Sequence, residues 1–168
     1  MFKKFLLVAA LIIPMLASAQ TLKVGVVDVD EIFQKLPDTN DAQTKLAEIS
    51  KKYEDEYGKL NEEMQRKYDE LQNMPETELP AIRERKIKDF QEYQMKVQQF
   101  EQTAAQDIQK NQQDLMAPIQ MKINNAIQSV GQESGYSLLL PKFSQTVLYF
   151  GAPVDDVTGL VKAKLGIQ

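Results

Sequence analysis

The reactive side chains of this 168-residue chain are carboxylates, lysines, arginines, tyrosines and hydroxyls, because it contains no histidine, no cysteine and no tryptophan. That inventory excludes zinc fingers, Ser-His-Asp triads and cysteine nucleophiles, and removes the one side chain that titrates unperturbed near neutral pH. The densest acidic group is Asp28, Asp30 and Glu31. A hard-cation loop needs more oxygen ligands and a tight glycine turn, so these residues read as helix caps and no metal is expected. Neither G-x-x-x-x-G-K-[ST] nor G-x-G-x-x-G occurs, so nothing cradles a nucleotide. No acid/base pair or nucleophile with a suitable neighbour can be named, and the chain is read as a non-enzyme without cofactors. Its 20 basic residues against 24 acidic ones, a net of -4, argue against nucleic acid as a partner.

What remains is the chemistry of apolar contact, and the elements that present it are long. Residues 1–19 are set apart: Lys3 and Lys4, an apolar run from Phe5 to Leu16 broken only by Pro14, then Ala17-Ser18-Ala19. This is the layout of a secretory signal cleaved after Ala19, and the run is shorter than the roughly 20 residues of a spanning helix. The mature chain then carries 18 basic and 24 acidic residues, and in a diderm bacterium it is expected to be soluble in the periplasm.

From 41 to 118 the chain reads as a helical hairpin with its turn at about 74–80, where Pro75 and Pro80 end one helix and open the next. On the outgoing arm Leu46, Ile49, Tyr53, Tyr57, Leu60, Met64, Tyr68 and Leu71 fall at spacings of three and four on one face, with an eleven-residue beat. On the return arm Ile87, Phe90, Tyr93, Val97, Phe100, Ala104 and Ile108 form the matching stripe, which continues into Ile119, Ile123, Ile127 and Val130. Antiparallel packing sets Leu46 near Ile108, Ile49 near Ala104, Tyr57 near Val97 and Met64 near Phe90. The other faces are charged, 15 of the 34 residues from 41 to 74, as suits solvated helix. Gly58 costs the outgoing helix about 1 kcal/mol relative to Ala. A bend is expected at Pro118.

Residues 20–40 and 119–168 should build a small body. Leu22, Val24 and Val26 alternate as a strand, Asp30 is placed to cap a short helix carrying Ile32, Phe33 and Leu36, and Asp38 to Asp41 offer caps for the long helix. Tyr136–Leu140 and Gln145–Phe150 read as a two-stranded hairpin, and Asp155 or Asp156 as the cap of a closing helix with Val157, Leu160, Val161 and Leu165, ended by Gly166. So small a sheet cannot close its own edges, which calls for oligomerisation through Val24, Val26, Leu138, Leu140, Val147 and Tyr149. Met74, Leu79 and Ile82 at the turn and Met95 on the return arm lie off the seam, and flexible apolar side chains there suit adaptable binding.

The order of these pieces resembles the Skp/OmpH family of periplasmic chaperones over nearly the whole mature chain. The resemblance is carried by Val24-Gly25-Val26-Val27-Asp28 with Ile32-Phe33-Gln34, by Phe100-Glu101-Gln102, by Tyr136-Ser137-Leu138-Leu139-Leu140, and by Val147-Leu148-Tyr149 with Asp156-Val157-Thr158. It implies an α+β, mostly α fold: a long antiparallel helical hairpin, or tentacle, on a small β-rich trimerisation body. It also implies a homotrimer that holds unfolded outer-membrane β-barrel proteins between its tentacles without ATP. The rival reading is a coiled-coil spacer or adaptor of the cell envelope. One departure stands out: residues 41–117 carry 12 basic against 17 acidic residues, which argues against lipopolysaccharide binding.

Overall fold

The computed structural model describes residues 22–143 and 147–167; the expected signal segment lies outside the described residues. Of the described residues 73% are helical, in long helices beside a small sheet. In order it forms β1 (Val24–Val27), α1 (Val29–Lys35), α2 (Pro37–Gln72), α3 (Pro80–Glu133), β2 (Leu138–Pro141), β3 (Asp155–Asp156) and α4 (Thr158–Leu165). Two compact units result, one of residues 33–124 and one of residues 22–32 with the described residues from 125 onward.

In the first unit α2, of 36 residues, and α3, running from Pro80, lie antiparallel. The stagger is fixed by ring contacts, Tyr53 on Phe100 with centroids 6.0 Å apart and Tyr68 on Phe90 at 5.9 Å. Ion pairs repeat it at both ends, Lys122 with Asp38 at 2.7 Å and Lys86 with Glu70. Leu60, Val97, Ala104, Ile119 and Ile123 are buried. Each helix can bury only one stripe in such a pair, so the remaining faces stay wet and charged. α3 runs through Pro118 as one uninterrupted helix. Helix α2 opens directly on Pro37, with Leu36 at the N-cap and no side-chain cap, not on the polar run Asp38–Asp41. Proline at the first helical position has the right φ already and lacks only an N–H that would be unpaired there.

In the second unit β1 is the centre of a parallel sheet ordered β2-β1-β3. Val24 lies beside Leu138 and Val26 beside Leu140, while Gly25 and Val26 take Asp155 and Asp156 on the other side. Of the expected hairpin of 136–140 with 145–150, residues 145 and 146 lie outside the described residues; residues 147–150 are in no strand, and β2 pairs with β1. A strand reading Val-Gly-Val-Val, apolar without alternation, is what a central strand of a parallel sheet requires. The cap of α1 is Asp28, whose Oδ1 accepts the Glu31 N–H at 2.9 Å, and not Asp30. At α4 the buried residues are Val161 and Thr158, with Val157 just before them, whereas Leu160 is exposed. Gly166 ends that helix in the left-handed conformation that favours glycine.

Two glycines separate the roles of space and backbone. An added Cβ at Gly58 meets nothing within 4 Å, whereas at Gly25 it would stand 2.8 Å from a Leu139 methyl and 3.2 Å from the Asp155 carbonyl oxygen. Gly58→Ala should stabilise the chain by about 1 kcal/mol in urea unfolding. Gly25→Ala should destabilise it by about 1–3 kcal/mol through overpacking.

Candidate functional site

Of the acidic residues read from sequence as caps, Asp28 caps a helix, and Glu31 pairs with Lys162 Nζ at 3.0 Å. Asp28 holds the start of α1, and among the described residues no group of three acidic side chains is placed to hold a metal ion.

The end of the sheet is tied by one polar network. The Asp156 carboxylate accepts hydrogen bonds from Lys142 Nζ at 2.8 Å and from the Thr158 N–H at 3.0 Å, as well as from the Thr158 hydroxyl. Thr158 Oγ1 in turn accepts the Asp28 N–H at 2.9 Å. Partial burial pushes the Asp156 carboxyl up, but the lysine and threonine donors outweigh it and hold the group down at about 2, against an ordinary 3.8. Nearby, burial and the hydrogen bond from Tyr136 Oη to Asp155 Oδ2, 2.8 Å, raise the Tyr136 phenol.

The turn between the long helices is pinned by the backbone: Glu78 N–H donates to the Pro75 carbonyl, and Arg83 reaches the same oxygen at 3.0 Å. One turn inward, Lys86 holds the Glu70 carboxyl below its usual range. This scaffold leaves Leu79 64% exposed and Ile82 exposed beside it, with Met74 half-buried. Met95 is 61% exposed farther along α3, and Met121, which the spacing did not single out, is exposed as well.

The seam residues fall into two groups. Tyr53, Phe100, Ala104 and Ile108 line one hollow with Tyr57, and Met64, Tyr68 and Phe90 line another. Tyr53 Oη also donates to Asp107 Oδ2 across the helices at 2.8 Å, which raises its phenol. Leu46 and Ile49 are half-buried on α2, while Leu60 and Val97 are buried. Lys67 from α2 and Lys96 from α3 both sit over the Tyr93 ring, 5.4 and 5.3 Å from its centroid. Ile87, part of the sequence stripe, is exposed.

Of the six residues singled out for an interface, Val26 is 1% exposed, inside the chain's own core. Val24, Leu140 and Val147 are half-buried, and Leu138 and Tyr149 are exposed. Leu148, at 93%, and Phe143 are also exposed in this unit, and the sequence pattern singles out neither for the interface.

Set against known proteins, most of the chain matches one family. The model for outer membrane protein (OmpH-like) matches residues 23–165, and the chain belongs to that family. It is 26% identical over 162 residues to the chaperone protein Skp of Yersinia enterocolitica, covering 93% of this chain and 94% of that one. It is 28% identical to the chaperone protein Skp of Pectobacterium atrosepticum, covering 95% of this chain and 98% of the relative. A crystal structure from Caulobacter crescentus, described as an OmpH-like outer membrane chaperone, superposes with a TM-score of 0.72 at 18% identity, over 84% of this chain and 82% of the other.

The depressed Asp156 carboxyl carries a pH signature. Its contribution to stability is complete above its ordinary 3.8 and is lost as pH falls through about 2. Asp156→Asn should therefore remove the part of the acid destabilisation that falls in that window, as read by circular dichroism melts from neutral pH down to about 2.

Proposed function

We propose that this chain is an ATP-independent periplasmic holdase that binds unfolded outer-membrane β-barrel proteins and keeps them from aggregating, working as a homotrimer. The observation that carries this reading is the end-to-end match to two proteins named chaperone protein Skp, over 93% and 95% of the chain. The physical features support it. A two-helix seam offers long exposed flanks, and apolar side chains stand in water at Leu79, Ile82 and Met95, where a weak, many-point binder needs them. The working parts are the hairpin of residues 41–118 and a body of residues 20–40 and 119–168, in which Leu138 and Tyr149 present apolar surface to neighbouring subunits. Export follows from residues 1–19, removed after Ala19.

Diluting a urea-denatured outer-membrane barrel protein into buffer with a near-stoichiometric amount of the trimer, without nucleotide, should abolish the rise in light scattering. Scattering unchanged by an equimolar excess of trimer would reject the reading, and a stable monomer by mass measurement would reject the assembly. The double variant Leu79→Ser/Met95→Ser should suppress scattering less well than the unaltered chain. Its unfolding free energy should stay within about 0.5 kcal/mol, because both side chains are exposed.

A further inference from the structure

The hollow on the hairpin seam has a composition that its neighbours lack. Its volume is about 390 Å³, and its walls include the rings of Tyr53, Tyr57 and Phe100 with the side chain of Ile108. Two glutamates border it, Glu54 from α2 and Glu101 from α3. Some carboxylates on these helices pair with cations, Glu56 with Lys59, Glu63 with Arg66, Glu70 with Lys86 and Glu92 with Lys88, while others, such as Glu62 and Glu84, do not. Glu54 and Glu101 have no ion-pair partner among the described residues. At four-residue helical spacing the positions hold Ser50, Gly58, Val97 and Ala105, and Lys51, three residues before Glu54, makes no ion pair with it.

We infer that this hollow is a binding site for arginine side chains of an unfolded, arginine-bearing polypeptide. An arginine there lays its aliphatic stem on Ile108 and the rings, its guanidinium faces aromatic surface, and the two carboxylates complete its charge. The net charge of -5 over residues 41–117 draws cationic segments towards the same helices. This assignment rests on the holdase reading and gives it a substrate preference, for cationic over anionic stretches of client.

Fluorescence anisotropy of the full chain, with a dansylated unstructured peptide alternating arginine with leucine and with its glutamate-for-arginine counterpart, tests the site. The arginine peptide should bind more tightly, and Glu54→Gln/Glu101→Gln should weaken it about five-fold. Glu48→Gln/Glu76→Gln, the same change of charge at two other exposed positions, should leave binding within about two-fold. No preference for the arginine peptide, no loss in the first variant, or an equal loss in both overturns the assignment. Suppression of barrel-protein scattering by the unaltered chain decides the holdase reading separately.

Discussion

Everything in the long-helix unit depends on a single apolar seam. Two antiparallel helices have no second layer behind them, so each can sequester one stripe and must leave the rest of its surface in water. Leu60, Val97, Ala104, Ile119 and Ile123 carry that burial, and the Tyr53–Phe100 and Tyr68–Phe90 ring pairs set the stagger. The hydrogen bond from Tyr53 to Asp107 adds a directional element that dispersion lacks, because it is made at one stagger only. The surface lysines and glutamates contribute little to stability individually, since exposed ion pairs are worth about 0–1 kcal/mol. They keep so long a pair of helices soluble.

The smaller unit is held by different means. Among the described residues its sheet has three strands, the last of two residues, and hydrogen bonds from side chains do what strand length does elsewhere. Tyr136 ties β3 to the segment before β2, Lys142 reaches Asp156 from beyond β2, and Thr158 joins β3 to the end of β1. The Lys23 ammonium, 4.0 Å from the centre of the Tyr136 ring and bonded to the Ser134 carbonyl, secures the other end. Apolar burial at Val26, Ile32, Val130, Val157 and Val161 completes a core too small to be generous.

Much of this was legible in the sequence, for physical reasons that differ from part to part. A helical hairpin announces itself through three- and four-residue spacings sustained over many turns and through the two prolines at its turn, signals that tertiary context rarely overrides. The sheet was legible only in part. Val24–Val27 and Leu138–Leu140 read as strands, but strand pairing is a long-range property, and the neighbour β2 takes is β1, more than a hundred residues away. β3 could not be found at all, because Asp155 and Asp156 have little strand propensity and are placed by their hydrogen bonds. Caps were misplaced by two residues at α1 and displaced by a proline at α2, the usual ambiguity when several acidic residues stand in a row. The unpaired glutamates on the seam were hidden because a linear pattern shows which charges are present, not which find a neighbour.

The parallel sheet has a consequence in time. Its middle strand is made of residues 24–27, and both flanking strands lie more than a hundred residues downstream, at 138–141 and 155–156. A chain that emerges from its amino end first must leave that valine-rich strand waiting until almost the last residue has appeared. The helices between need only near neighbours and can close early, so the stretch that nucleates fastest is the one that brings the two distant edges within reach.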